Sequence, residues 1–159
     1  MLRFFVILLG FFLLSCSAPF QKGKSTPVYV SLKIQGLRNA DFGFLYEKQK
    51  GVNLELYKLA QVLLRLKIED KICLEQACFE KKTFNQRYLG QAYYDDFLED
   101  ILRFKPLFEG KNLIQNACGF SQNLLNINYD ISYQVCDKEL LFIEKKNNIR
   151  LSIKKVDNE

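Results

Sequence analysis

The sequence predicts a mainly β (α+β) fold, a curled antiparallel sheet or incomplete β-barrel with one central amphipathic helix as a lid. Apolar and polar residues alternate with a period of two along most of the chain after residue 27. Turn-forming pairs separate these runs, and one segment changes to helical spacing. Because a meander of this length exposes one long apolar face, it must curl or close to bury that face.

The first strands are predicted from Val28, Val30, Leu32 and Ile34, which alternate with polar or small residues. The stretches FGFLYEKQ and VNLELYKL follow on either side of a turn at residues 50–51. A further alternating run, from Val62 to Ile68, ends at a turn at residues 69–70.

Two short strands are predicted around residues 75–76, in KICLEQACFEKK. A two-residue loop places Cys73 opposite Cys78, close enough for a cross-strand disulfide. Cys118 and Cys136 would then form a second bridge, although spacing alone does not fix the pairing. The alternative is half of a zinc site, but no second cysteine pair has matching spacing and the chain has no histidine, so no metal site is expected.

The single helix is predicted over residues 92–104. In YYDDFLEDILRF, apolar residues recur at helical spacing and Pro106 ends the pattern. Its acidic residues could form a carboxylate or calcium site, or simply a solvated helix face, and the second interpretation is the simpler one. Three alternating strands follow residue 128, with a turn at Asn147-Asn148, and bring the count to eight to ten strands.

The N-terminal stretch MLRFFVILLGFFLLSC predicts export. Arg3 precedes an apolar run that is too short to span a bilayer but suits a signal peptide. Its end, Leu-x-Ser-Cys, resembles the lipobox of bacterial lipoproteins, in which the cysteine carries acyl chains such as palmitate. A plain signal peptide with a chance cysteine, or an uncleaved anchor, are the alternatives. We expect residues 1–15 to be a signal peptide, 16–27 a tether lipidated at Cys16, and 28–159 a single β-rich domain.

The composition excludes several classes of function. The net charge of +5 is a mild excess, useful at an anionic lipid surface but too diffuse for a nucleic-acid partner. Without histidine, the common serine and cysteine catalytic sets are absent, and no other nucleophile–base pair stands out. We therefore expect no enzyme and no cofactor beyond the covalent lipid on Cys16. Under the helix, an apolar cavity suited to acyl chains and a fully packed interior remain equally open.

The order of elements resembles the LolB family of outer-membrane lipoprotein receptors. LELYKLAQVLLRLKI is similar to the family's leucine-rich stretch, YYDDFLEDILRFKPLF to its helix, and INYDISYQV and NNIRLSIKKV to its last strands. The chain departs from the family in having Leu59-Ala60-Gln61 in place of Pro-Leu-Gly, no tryptophan, and four extra cysteines.

This resemblance implies an acyl-chain cavity beneath a helical lid, and a protruding leucine, here Leu59, that assists delivery into the membrane. The implied cavity residues are Leu32, Ile34, Leu54, Leu56, Leu64, Leu66, Phe97, Leu98, Ile101 and Leu102. The implied partners are the membrane, a periplasmic lipoprotein carrier and its lipoprotein cargo. The implied location is the periplasmic side of the outer membrane. The alternatives are a structural or assembly lipoprotein with a packed β-domain, and a periplasmic inhibitor of lysozyme.

Overall fold

The computed structural model of the protein describes residues 24–157. It contains one antiparallel sheet of eleven strands, in the order β6-β5-β4-β3-β2-β1-β11-β10-β9-β8-β7. The strands are β1 (Lys24–Ile34), β2 (Leu37–Glu47), β3 (Val52–Lys58), β4 (Gln61–Ile68), β5 (Ile72–Leu74), β6 (Ala77–Phe79), β7 (Leu113–Asn116), β8 (Gly119–Leu125), β9 (Asp130–Cys136), β10 (Glu139–Glu144) and β11 (Ile149–Lys155). The helices are α1 (Lys81–Leu89) and α2 (Phe97–Leu102), and a 3-10 turn covers Phe108–Gly110.

The predicted fold class is confirmed. The chain is mainly β, and the sheet is not closed, because the outermost strands β6 and β7 do not pair with each other. The strand count exceeds the predicted eight to ten. The sequence before residue 126 lacks a clean alternation, yet it forms the hairpin of β7 and β8.

One face of the sheet, the inner face, carries the hydrophobic core. Each long strand sends alternate side chains inward, as the period of two predicts. Helices α1 and α2 cover this face and add their own apolar side chains to the same core. Residues with at most 2% exposure include Val30, Leu54, Leu56, Ile68, Phe84, Phe97, Ile101, Tyr133, Phe142 and Ile153.

The helical segment differs from the prediction in two ways. Helix α1 was not predicted, and it ends at Gly90, whose φ of 73° is the left-handed cap that glycine favours. The helix predicted over 92–104 is shorter, because it begins only at Phe97. Tyr93 stacks on Phe97 with ring centroids 3.9 Å apart, and Tyr94 packs on Phe108 at 5.3 Å. Tyr93 is buried and Tyr94 half-buried in these contacts, and the backbone before Phe97 is not helical.

Strand β1 begins before the predicted domain boundary. Lys24 pairs with Glu47, so residues 24–27 of the predicted tether belong to the sheet. The signal peptide, Cys16 and the rest of the tether lie outside the described residues.

Consecutive hairpins place the turns alternately at two ends of the sheet, because all the strand pairs are antiparallel. We call one end the Leu59 rim. It carries the turns at residues 35–36, 59–60, 75–76, 126–129 and 145–148. The opposite rim carries the start of β1 and the turns at residues 48–51, 69–71, 117–118 and 137–138.

Both predicted disulfides are confirmed. Cys73 and Cys78 face each other on β5 and β6, with Cα atoms 4.0 Å apart. Cys118, in the β7–β8 turn, is bonded to Cys136 at the end of β9, with Cα atoms 4.7 Å apart. Each bridge therefore lies at one edge of the open sheet.

Candidate functional site

The helical segment lies across the inner face as a lid. At the Leu59 rim, the backbone N–H of Gln35 donates to the carbonyl oxygen of Tyr88, 3.1 Å away. At the opposite rim, the Arg103 guanidinium donates to the carbonyl oxygens of Lys48 and Gly51, both at 2.8 Å. Between these two attachments, α1 and α2 contact the sheet mainly through apolar side chains, and the amide of Gln122 on β8 holds the chain after α2 by hydrogen bonds to the backbone of Leu107 and Lys111.

A small void lies beneath this lid. Its walls are entirely apolar and come from strands on both sides of β1 as well as from both helices. Seven of the ten predicted cavity residues line it: Leu32, Ile34, Leu54, Leu64, Leu66, Leu98 and Leu102. The sequence missed five others: Leu37, Leu74, Phe84, Leu89 and Leu151.

The other three predicted cavity residues do not line the void. Leu56, Phe97 and Ile101 are fully buried, but they pack into the core elsewhere. Phe97 instead lies in an aromatic cluster, with its ring centroid 5.8 Å from that of Phe142. The periodicity of a strand or helix identifies an inward residue, but it does not say which part of the interior that residue fills.

The void is too small for an acyl chain in this conformation. Its volume is about 20 Å³. For comparison, an engineered apolar cavity that binds benzene has a volume of about 150 Å³. An acyl chain could therefore enter only if the lid moved away from the sheet.

Three buried polar atoms at the lid have no hydrogen-bond partner among residues 24–157. They are the side-chain oxygen of Asn85 on α1 and the hydroxyls of Tyr93 and Tyr133. Burial raises the pKa of both tyrosines, so the hydroxyls remain neutral. Each unpartnered group costs about 1–3 kcal/mol in the closed state. Opening the lid would return all three groups to water and recover part of that cost.

The acidic residues Asp96, Glu99 and Asp100, at and after the start of α2, have partners within the lid. Lys81 lies 2.7 Å from Asp96 and 3.9 Å from Glu99, and the Tyr94 hydroxyl donates to Asp100 at 2.9 Å. Burial raises the pKa of Asp100 despite this hydrogen bond. Each of these contacts therefore joins one part of the lid to another, although the Asp96 side chain is 63% exposed.

Leu59 lies at the tip of the β3–β4 hairpin and is 93% exposed. Both residues of this turn are left-handed, with φ of 49° at Leu59 and 62° at Ala60. A two-residue turn of this kind favours Asn-Gly, because side chains such as leucine are strained at positive φ. The chain thus keeps a large apolar side chain in water on a strained turn, which is an arrangement typical of functional sites.

Two features of the Leu59 rim were not predicted from the sequence. Leu125 and Ile127 are 74% and 90% exposed beside the β8–β9 turn. In addition, Lys33 on β1 lies directly opposite Arg38 on β2 and Arg150 on β11 in the strand register. Each residue is ordinary by itself, and only the strand register brings the three cations together.

No known protein-family model matches the chain, and no curated protein matches it in sequence. Neither helix within residues 24–157 has the length and apolar character needed to span a bilayer. The same residues hold one grouping of possible metal ligands, Cys118, Cys136 and Asp137, in which both sulfur atoms are already joined in a disulfide.

Proposed function

We propose that this protein is a lipid-anchored lipoprotein, similar to the LolB family, that transfers acylated proteins to the outer membrane. It would accept acyl chains between the sheet and the lid and release them beside Leu59. The proposal rests on Leu59, whose apolar side chain is almost fully exposed at a turn where the backbone has a positive φ, which leucine rarely adopts.

The lid supports the acyl-binding step. Polar contacts hold the lid near its two ends and, just after α2, at Gln122. Its remaining contacts with the sheet are mainly apolar, and acyl chains can replace them. Each methylene group moved from water to this interior contributes about 0.8 kcal/mol. The three unpartnered polar atoms lower the cost of opening, because water can reach them once the lid has moved.

The length of the N-terminal segment also supports the proposal. A fully extended chain from Cys16 to Lys24 spans at most about 28 Å. In the strand register, Val28 lies opposite Gly43 and Gly43 lies opposite Leu56, so Leu56 and Val28 are at the same position along the strand direction. Leu59 therefore lies about 23 Å from Lys24 along the strands. An acyl anchor on Cys16 and the side chain of Leu59 can thus reach the same leaflet.

Uptake of a fluorescent fatty acid tests the acyl-binding step. The mature chain with Cys16→Ala, which carries no lipid of its own, should bind the probe. Leu54→Phe should reduce binding several-fold by filling the void, whereas Leu56→Phe, equally buried but away from the void, should retain it. Absence of binding in the parent chain, or equal losses in the two variants, would contradict the proposal.

The Tyr133 hydroxyl provides a second test of lid opening. Tyr133→Phe removes an unpartnered buried hydroxyl and should stabilise the closed state by about 1 kcal/mol. Uptake of the fatty acid should become slower as a result. Tyr29→Phe, at an exposed position on the outer face, serves as the control. Faster uptake by Tyr133→Phe would contradict the lid mechanism.

A second candidate is a structural lipoprotein that docks a protein partner on the outer face. An apolar groove of about 170 Å³ lies there, lined in part by Phe42, Phe44, Tyr57 and Val156. Phe42 is 62% exposed, with its ring centroid 5.0 Å from that of Tyr29. Loss of a co-purifying protein from Phe42→Ser, together with no fatty-acid uptake by the parent chain, would favour this candidate.

A further inference from the structure

A second exposed apolar loop lies at the Leu59 rim, at the β8–β9 turn. Leu124 points into the core and is 2% exposed, whereas Leu125 and Ile127 are 74% and 90% exposed. Single exposed apolar side chains are common on protein surfaces. Here two such residues lie at one turn on the same rim as Leu59, so this rim exposes three large aliphatic side chains.

This loop is held in place by hydrogen bonds. The side-chain oxygen of Asn126 accepts from the backbone N–H groups of Asn128 at 2.7 Å and Tyr129 at 2.9 Å. The Lys146 ammonium donates to the carbonyl oxygens of Asn126 at 2.7 Å and Ile127 at 2.8 Å. These hydrogen bonds therefore hold the turn in a conformation in which Leu125 and Ile127 are exposed.

A row of three cations lies close to the same rim on the outer face. Lys33 faces Arg38 on β2 and Arg150 on β11, in direct register. Like charges placed directly opposite each other destabilise a sheet. Within residues 24–157, none of the three lies within 4.0 Å of a carboxylate, and Lys33 instead donates to the side-chain oxygen of Asn148 at 2.8 Å. An external anion would relieve this repulsion.

The opposite rim has a different character. Lys48 and Lys138 pair there with Glu69 and Asp157. Lys24 and Lys50 form no salt bridge within residues 24–157, but Lys24 lies opposite Glu47 in the register and Lys50 lies in a turn, so neither faces another cation across the strands. Within residues 24–157, cations face each other across paired strands only near the Leu59 rim, which is also the rim with the exposed aliphatic side chains.

We propose that the Leu59 rim docks on the surface of an anionic bilayer. Leu125 and Ile127 enter the lipid beside Leu59, and the row of Lys33, Arg38 and Arg150 contacts the lipid phosphates. Aliphatic side chains flanked by cations are the combination that binds an anionic membrane surface. The choice of a bilayer as the partner rests on the proposed lipid anchor, whose segment is long enough for the rim to reach the same leaflet.

The absence of tryptophan makes a direct test available. Ile127→Trp in the full acylated chain introduces a single tryptophan at the loop. In vesicles of phosphatidylcholine with phosphatidylglycerol, brominated lipids should quench its fluorescence and its emission should shift to shorter wavelength. Gln49→Trp, exposed on the opposite rim, should be quenched several-fold less. Equal quenching at the two positions would overturn the proposal.

The charges are tested in the Ile127→Trp background. Replacing Lys33, Arg38 and Arg150 by glutamine should reduce the quenching several-fold in anionic vesicles and leave it unchanged in vesicles of phosphatidylcholine alone. A reduction of the same size in both kinds of vesicle would overturn the role of the cationic row.

A matched control removes the same charge elsewhere. Lys24, Lys50 and Lys82 are exposed and form no salt bridge within residues 24–157. Replacing them by glutamine should leave the quenching unchanged, and an equal loss would show that net charge alone is responsible and would overturn the proposal.

The fatty-acid experiment separates this inference from the proposed function. Quenching at position 127 without fatty-acid uptake would support membrane docking and refute acyl binding. Uptake without quenching would refute the docking surface and leave acyl binding intact.

Discussion

The ammonium group of Lys146 donates a hydrogen bond to the carbonyl oxygen of Ile127 across 2.8 Å. This bond joins the β10–β11 turn to the β8–β9 turn, so two hairpins at the Leu59 rim support each other. The buried carboxylate of Glu144 reinforces the same junction, because it accepts from the backbone N–H groups of Asp130, Lys146 and Asn147. The exposed side chain of Ile127 therefore lies on a turn that several hydrogen bonds hold in place.

Lys146→Met should loosen the β8–β9 turn with little effect on global stability. Hydrogen exchange of the backbone amides at residues 126–129 should become several-fold faster, because the ammonium no longer bridges two carbonyl oxygens. The free energy of unfolding should change by less than about 1 kcal/mol, as for other exposed contacts. Lys145→Met, which removes only the pair with Asp130, should leave exchange in this turn unchanged.

The strained turn at Leu59 predicts opposite effects on stability and function. The double substitution Leu59→Asn and Ala60→Gly should raise the free energy of unfolding by about 1–2 kcal/mol, because these residues adopt positive φ more readily. The same variant should deliver an acylated protein to vesicles more slowly. Denaturant unfolding and a transfer assay measure the two effects, and destabilisation by the substitution would show that the turn is not strained.

The pair of Glu55 and Tyr57 on the outer face predicts a tyrosine with unusual titration. The Tyr57 hydroxyl donates to Glu55 at 2.5 Å, and this hydrogen bond raises the pKa of Tyr57 to about 12. The resulting stabilisation is present below the ordinary pKa of about 10 and is lost as the pH rises through about 12. Glu55→Gln should return the pKa of Tyr57 towards 10, as followed by NMR of the labelled ring. Glu139→Gln, which removes a carboxylate paired with Lys154, should leave it near 12.

The two disulfides should contribute unequally to stability. Closing the longer loop, between Cys118 and Cys136, should contribute about 3 kcal/mol, and closing the short loop between Cys73 and Cys78 about 2 kcal/mol. Replacing each pair by alanine and comparing unfolding in denaturant measures this difference. A larger loss from the short loop would show that chain entropy does not determine the order.

The tether length sets a limit on contact between Leu59 and the membrane. Deleting residues 17–20 shortens the reach from Cys16 to Lys24 to about 14 Å, less than the 23 Å or so between Lys24 and Leu59. In an acylated chain with Leu59→Trp, quenching by brominated lipids should then fall several-fold. Replacing residues 17–20 by four glycines keeps the length and should preserve the quenching.

The sequence predicts the fold well because the strands obey a local rule. Alternation identifies the inward side chains of β1, β3, β4 and β11, and paired turn residues mark the hairpins. Helix α1 was missed because its apolar residues Phe84, Tyr88 and Leu89 are few and follow directly after the cysteine hairpin. Gly90, as a left-handed cap, was the available signal.

The candidate site was harder to predict, because its properties depend on packing between distant elements. Sequence identifies Leu54 and Leu56 as equivalent inward residues, yet Leu54 touches the void and Leu56 does not. The volume of the void depends on how the lid fills the curled sheet, which no local pattern encodes. Likewise, Arg38 and Arg150 become neighbours of Lys33 only through strand register.

The positions of the disulfides have a consequence for solubility. An open sheet has two outer strands whose backbone groups can recruit a strand from another molecule. Here the outer strands are short, and each terminal hairpin is fastened by a cystine. Reduction would remove both cross-links and leave only the backbone pairing of these hairpins, so the outer strands should open more readily and the protein should associate edge to edge more in a compartment rich in thiols than in an oxidising one.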